Sequence, residues 1–391
     1  MTATPRLYYQ DCYTSAFDAQ VIDLSSDGKR VYLDKTYFYP TSGGQPHDTG
    51  LLGEQAVLEV VDEGERIAHL LVAPLTAETV SARIDWTRRY DHMQQHTGQH
   101  LLSAVFIELY EIPTLSFHMS SDVSTIELGR KELSDVQIDA VENRVNEIVR
   151  EARDVRIVFE DAGQASGLRK ERARTGVLRI VEIEGLDRSA CGGTHVRSTA
   201  ELGPIQIRHQ EKIRGNTRIE FVCGIRALRR SKSDFRILTR LARESATAPE
   251  KLSDYLASLK ERVAENEKEQ AKLILHLGER DGTRLYESTT PSEDGIRRAF
   301  IRVSAIDAQT RAAVSAFISH PRTAILVMGK EPPAVLLGCS PDAGIHAGVK
   351  LKDALSKRGG RGGGSATVAQ GSLPDSTAAE LVLEDLGFGE P

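Results

Sequence analysis

Two short stretches, His96-Thr97-Gly98-Gln99-His100 and Cys191-Gly192-Gly193-Thr194-His195, carry the chemistry and decide how the rest of the chain is read. The first lies in a run with helical spacing, where residues four apart share a face, so its two imidazoles are presented to a common point. The second places a thiol and an imidazole at the same spacing, with two glycines predicting a tight turn between them. Either pair alone fits a simple surface pair. Together, three imidazoles and one thiolate make a donor set that suits tetrahedral Zn²⁺. Thr97 stands where a zinc protease would need the Glu of His-Glu-x-x-His, and neither His-x-Glu nor Pro-Cys-x-x-Cys of the nucleobase deaminases occurs.

Outward from these stretches the periodicity changes several times. Between Ala19 and Arg88, the runs at Gln20, Arg30, Tyr37, Ala56 and Val80 are β-rich and punctuated by Asp27-Gly28 and Ser42-Gly43-Gly44, which predicts a small antiparallel β-barrel over 1–88. Helical spacing through Leu109 and from Ser134 to Arg153, followed by strand-like runs at Val155, Val177 and Ile219, predicts an α+β domain over 89–235. From Leu252 to Leu277, the positions Leu252, Leu256, Leu259, Val263, Asn266, Gln270, Leu273 and Leu277 alternate steps of four and three, which predicts a helical or coiled-coil segment over 236–283. Gly278 to Gly295 reads as a polar linker. Beyond it, runs at Ala299, Thr323 and Ala334 around a helical Ala308–Ile318 predict a C-terminal α/β domain over 284–391 with βαββ order. The expected fold class is thus α+β throughout, with a closing α/β domain.

The 391 residues carry 50 Lys+Arg against 56 Asp+Glu, a net charge of −6, so no global basic field favours nucleic acid and any such site must be local. Between Gln206 and Arg240, ten Lys/Arg stand against three Asp/Glu, and Lys212, Arg214 and Arg218 head that patch. Lys357, Arg358 and Arg361 flank a glycine-rich run at Gly359–Gly371, whose backbone N–H groups could face phosphate. The run is not the GxxxxGK[ST] of a nucleotide-binding loop. Four scattered cysteines without CxxC, no apolar leader and no apolar run long enough to span a bilayer predict a cytoplasmic protein. His92, His118 and His209 are read as ordinary core or surface histidines.

The paired motifs resemble the HxxxH and CxxxH of the editing domain shared by alanyl- and threonyl-tRNA synthetases. Thr36-Tyr-Phe-Tyr-Pro-Thr-Ser-Gly-Gly-Gln-Pro-His-Asp-Thr-Gly50 resembles the barrel segment of the alanyl branch and of the freestanding AlaX editing proteins. Arg218-Ile-Glu-Phe-Val is similar to the strand after the CxxxH loop. Gly359–Gly371 is similar to the glycine-rich motif of the C-terminal, DHHA1-type domain, although Arg361 interrupts its glycines. The resemblance runs along the whole chain in the order of the long form of AlaX. No stretch resembling the aminoacylation domain of the synthetases precedes the barrel.

That resemblance implies a zinc-dependent aminoacyl-tRNA hydrolase without aminoacylation activity, clearing tRNA(Ala) mischarged with serine and also with glycine. It implies His96, His100, Cys191 and His195 as metal ligands and catalytic centre. It further implies Thr36 as a substrate contact, with Gln45 as the second candidate, Lys212, Arg214, Arg218, Lys357, Arg358 and Arg361 as tRNA contacts, and a homodimer. Four protein ligands make a closed site, so the sequence leaves open whether zinc activates water, with Cys191 bound loosely, or only organises the pocket. Two other readings stay open: a non-catalytic, zinc-stabilised tRNA-binding module, and threonyl-type editing of Ser-tRNA(Thr).

Overall fold

The computed structural model describes residues 3–170 and 175–388 and divides into two compact units, Met1–Leu241 and Ala242–Pro391. In the first unit, β1 (Ala16–Leu24), β2 (Arg30–Leu33), β3 (Gly50–Leu52), β4 (Gln55–Asp62), β5 (Ile67–Leu71) and β6 (Thr79–Ile84) close into a barrel in the order β1-β2-β5-β4-β3-β6. Alternation puts Val31, Leu33, Val57, Val60, Val80, Ala82 and Ile84 inside it. The Tyr37-Phe38-Tyr39 run, read as a strand from its aromatic content, is instead irregular backbone. Its hydrogen bonds go to a polar neighbour rather than to a strand: Tyr39 N–H donates to Asp48 Oδ2 at 2.6 Å.

Asp85 then caps α1 (Trp86–Tyr110), its carboxylate accepting from Arg88 N–H. From His92 to Phe106, α1 is buried on all sides although seven of these residues are Gln, His, Thr or Ser in the stretch 94–103. A helix can hold such residues inside only if each finds a partner. Gln95 makes two bonds to the Cys223 backbone, Gln94 donates to Glu201 O, and Ser103 accepts from Gln99 and Thr114. Gly98 lets α1 approach the sheet, since a Cβ there would stand 2.3 Å from Cys223 Sγ.

Around α1 lie β7 (Thr114–Met119), β8 (Ser124–Leu128), α2 (Asp135–Glu151), β9 (Val155–Asp161), β10 (Val177–Ile183), β11 (Asp187–Ala190), β12 (Ile205–Ile213) and β13 (Asn216–Cys223). They form a sheet in the order β11-β10-β9 and another in the order β12-β13-β8-β7. Their core joins Leu101, Leu102, Val105 and Phe106 of α1 to Val141, Val145 and Ile148 of α2 and to Ile126, Ile219 and Phe221. The unit continues into α3 (Gly224–Glu244).

In the second unit, α4 (Leu252–Ser288) runs unbroken through the segment expected to begin a linker at Gly278. Gly278, expected to open the linker, and Gly282 one turn on are contact points: Cβ atoms there would stand 2.4 Å from Gln309 O and 2.2 Å from Ala313 O, on α5 (Ala308–Ile318). Close helix packing selects glycine here, and the i, i+4 spacing keeps both on one face. The sheet, β14 (Arg297–Val303), β15 (Thr323–Gly329), β16 (Ala334–Cys339), β17 (Arg361–Gly364) and β18 (Val368–Ser372), has the order β14-β15-β16-β18-β17, with β14 parallel to β15. It packs with α6 (Ala347–Lys357) and α7 (Ser376–Asp385). The glycine-rich run is therefore a hairpin with an edge strand, not an open loop. Gly362 and Gly364 lie so close to β18 that Cβ atoms would stand 2.4 and 2.2 Å from Gln370 O and Val368 O.

Inside the barrel, burial depresses the His69 pKa to about 4, against a backbone bond to Val31 O that favours the charged form. In the unfolded chain this imidazole protonates near 6.5. The unfolded state thus binds more protons between the two values. The contribution of a neutral His69 is complete above about pH 6.5 and is lost as pH falls toward 4, an amount of about 3 kcal/mol. Chemical denaturation across pH 7.5 to 4.5 should show a steeper fall in stability for the native chain than for His69→Gln.

Candidate metal centre

His96 and His100 come from the middle of α1, and Cys191 and His195 from the loop after β11. Their ligand atoms all lie within 4.8 Å of one another. The three histidines are buried and Cys191 is partly exposed, so the cluster comes nearest to solvent at that residue. Cys191 Sγ lies 3.4 Å from both His96 Nε2 and His195 Nε2.

Each ring is turned inward by a partner at its other nitrogen. His96 Nδ1 lies 2.8 Å from Gln45 Oε1, His195 Nδ1 3.1 Å from Thr97 Oγ1, and His100 Nδ1 3.2 Å from Asp187 Oδ2. With Nδ1–H donating in each pair, the Nε2 lone pairs face the common point, which is the arrangement that metal-binding histidines use. Gln45 is itself fixed, accepting from Thr194 N–H and donating to Thr194 Oγ1. Behind His100, Asp187 lies 3.5 Å from Arg169 Nε, and Arg169 also donates to His100 O. Arg179, on β10, clamps the ligand loop by donating to Cys191 O at 2.6 Å and to Tyr9 O.

The electrostatics hold Cys191 and His195 in the forms a metal binds, and His100 in the opposite sense. Desolvation pushes the Cys191 thiol up, but the His96 and His195 rings and hydrogen bonds from His100 and His195 outweigh it and hold the thiol well below its ordinary value. Burial, then the neighbouring His96 ring, push His195 well below its ordinary value. For His100 burial works downward, but the hydrogen bonds to Asp187 and Cys191 outweigh it and raise its pKa. For Asp187, burial works upward, while His100 and Arg169 pull its pKa below the usual carboxylate value. A thiolate and neutral imidazoles are the ligand forms that a metal requires. The nitrogen-rich donor set with one sulfur, its donors converging on one point, fits a tetrahedral ion of the zinc type.

Sequence reasoning assigned the four ligands, and the fold brings them together. It did not find Thr97, Asp187 or Arg169, because a supporting residue has no fixed spacing from the ligand it orients. Gly192 and Gly193 are explained differently than expected: neither has a positive φ, and a Cβ at Gly193 would stand 2.1 Å from His96 Cε1. The glycine makes room for a ligand ring. Thr36 and Gln45, expected as substrate contacts, are both fully buried. The Thr36 hydroxyl bonds to His69 Nε2 and accepts from Phe38 N–H inside the barrel, and Gln45 orients His96. Of the six cations expected to meet tRNA, Lys212 pairs with Glu132, Arg218 with Glu211 and Arg358 with Asp385. Arg214, Lys357 and Arg361 are exposed.

Loss of a supporting partner should loosen the metal. In a competition titration of Zn²⁺ against a chromogenic chelator, Gln45→Ala and Asp187→Asn should each bind about 10–100-fold more weakly than the native chain. Gly193→Ala, which drives a methyl into the His96 ring, should lose at least as much.

Comparison with known proteins places this site. Residues 178–220, which include the CxxxH loop, match the family profile described as the threonyl and alanyl tRNA synthetase second additional domain. The alanyl-tRNA editing protein AlaX-L of Pyrococcus horikoshii is 32% identical over 94% of each chain. The editing protein Aarsd1-A of Xenopus laevis is 34% identical over 68% of this chain and 70% of its own. The alanine–tRNA ligase of Pyrococcus abyssi is 32% identical over 98% of this chain, which spans only 43% of the ligase. With a likeness of that extent over almost the whole length of an AlaX-L protein, and with the four ligands assembled as its motifs require, the chain belongs to the alanyl-tRNA editing protein family.

Proposed function

We propose that the chain is a trans-editing deacylase that hydrolyses the ester of mischarged tRNA(Ala), chiefly Ser-tRNA(Ala) and also Gly-tRNA(Ala), and does not aminoacylate. One observation carries this reading: three imidazoles and a thiolate, each imidazole turned inward by its own partner, converge beside a partly exposed sulfur in a chain of the editing family. Zinc is the ion proposed, and when bound it supplies a positive centre for the ester carbonyl or for a water. The chain's own part is to fix that centre. Gln45, Thr97 and Asp187 hold the rings, Arg179 holds the loop, and the Cys191 side leaves the approach for the aminoacyl end.

Thr36 and Gln45 are the proposed substrate contacts, Thr36 standing on His69 in the barrel wall and Gln45 on the His96 ring. Lys212, Arg214, Arg218, Lys357, Arg358 and Arg361 are proposed tRNA contacts, with Arg214, Lys357 and Arg361 the stronger because no carboxylate pairs with them among the described residues. Domains at 1–88, 89–235, 236–283 and 284–391, a cytoplasmic location and a homodimer complete the proposal. The heptad positions Leu256, Val263 and Leu273 are about half exposed, which favours a partner for α4. No helix among the described residues is long and apolar enough to cross a membrane.

Release of radiolabelled amino acid tests the reading, with Ser-, Gly- and Ala-tRNA(Ala) and Ser-tRNA(Thr) as substrates. Hydrolysis of the first two and not of Ala-tRNA(Ala), falling at least about 100-fold in His96→Ala/His100→Ala, is the expected outcome, since loss of two ligands should exceed loss of one supporting residue. A folded, zinc-loaded chain that binds tRNA(Ala) but releases nothing would instead be a binding module. Preferential release from Ser-tRNA(Thr) would mark threonyl-type editing.

A further inference from the structure

His92 lies one turn before His96 on α1, so His92, His96 and His100 stand in one row with steps of about 6 Å along the helix. The metal cluster takes the second and third and leaves out the first. His92 is 3% exposed, its Nδ1 is sealed from solvent, and neither ring nitrogen has a hydrogen-bond partner among the described residues. A buried polar ring left without a partner carries a cost that a native fold seldom bears without a use.

The groups facing it are cationic. Burial, then Arg88, Arg226, Arg89 and His47, hold the ring neutral, with its pKa pushed down to about 3. Two of these arginines are spent. Arg89 is buried against Asp48, and Arg226 grips Asp91 with Nε and Nη2 while Nη1 donates to Ser120 O. Arg88 donates Nε–H to His47 O, and its two terminal amino groups make no bond among the described residues. A neutral ring carries one N–H and one lone pair, and with Nδ1 sealed, Nε2 is the nitrogen left to meet a ligand. His92 thus offers a donor beside a free guanidinium edge.

The segments that wall the metal cluster also wall this spot. The 42–47 loop gives Gln45 to His96, and its His47 O accepts from Arg88 Nε–H. β7 stacks Phe117 on His96, and the turn after it gives Ser120 O to Arg226. Arg88, His92 and His96 follow one another at one-turn steps along α1. An aminoacyl-tRNA carries its only nearby negative charge one ribose from the ester, on the phosphodiester 5′ to the terminal nucleotide. A step of about 6 Å along the helix is of that order.

We propose that His92 and Arg88 form a phosphate-binding subsite for that terminal phosphodiester, aligning the esterified ribose over the metal cluster. The choice of RNA as ligand rests on the deacylase reading above.

The test is binding, independent of hydrolysis. Fluorescence anisotropy gives the Kd of the zinc-loaded chain for an uncharged RNA minihelix ending in CCA, and for the same RNA with a neutral methylphosphonate at the last linkage. The native chain should bind the methylphosphonate RNA about tenfold more weakly, the size of one charge-assisted contact. His92→Gln should weaken the unmodified RNA by a similar factor, and Arg88→Gln/His92→Gln should bind the two RNAs alike. Equal binding of both RNAs by the native chain overturns the subsite whether or not the variants fold, as does an undiminished methylphosphonate penalty in a folded double variant. If the native chain shows the expected pattern but releases no amino acid from any charged tRNA, the deacylase reading falls and the subsite stands. Hydrolysis without a methylphosphonate effect removes the subsite alone.

Discussion

The buried ion pair between Arg89 and Asp48 is the constraint on which the first unit depends. Both side chains are fully buried, and the guanidinium also donates to Cys12 O and Tyr37 O. Asp48 in turn accepts from Tyr39 N–H through its carboxylate and donates its own N–H to Tyr39 O. One helical residue thereby ties α1 to the N-terminal segment and to both ends of the 39–48 loop. A buried pair of this kind adds little net stability, but removing one partner strands a charge and costs on the order of 3–5 kcal/mol. Its use here is positional. The loop it closes carries Gln45, and Gln45 sets the His96 ring.

The metal cluster follows from that positioning. The three rings are held by a loop of the barrel, by a threonine of α1 and by an aspartate of β11, so no single element contains the geometry. Close packing does the rest: Gly193 admits the His96 ring and Gly98 admits Cys223. Of the four residues Cys191 alone is partly exposed. The cationic neighbourhood of His92 extends the same helical row outward.

The second unit shows how composition misleads where packing decides. Gly278 reads as the start of a linker, yet with Gly282 it forms the flat face against which α5 lies. The glycines near Arg361 read as an open phosphate cradle, yet their small size serves a tight hairpin. In both places glycine was chosen for the absence of a side chain, not for a left-handed backbone, and a single sequence does not distinguish these two uses.

What the sequence determined by itself was local or periodic. The i, i+4 spacing of His96 and His100, the four-residue Cys191 to His195 step, the alternation of the barrel strands and the βαβ order at Arg297–Gly329 are all written in neighbouring residues. The tertiary structure alone decided what each ligand leans on, that Thr36 meets His69 and Gln45 meets His96, and that His92 finds no hydrogen-bond partner among the described residues. Those facts depend on residues such as Gln45 and Thr194, or Asp187 and His100, that are far apart in the chain and meet only when separate elements pack. Spacing along a strand or helix fixes the direction of a side chain, whereas the partner it meets is fixed by the fold.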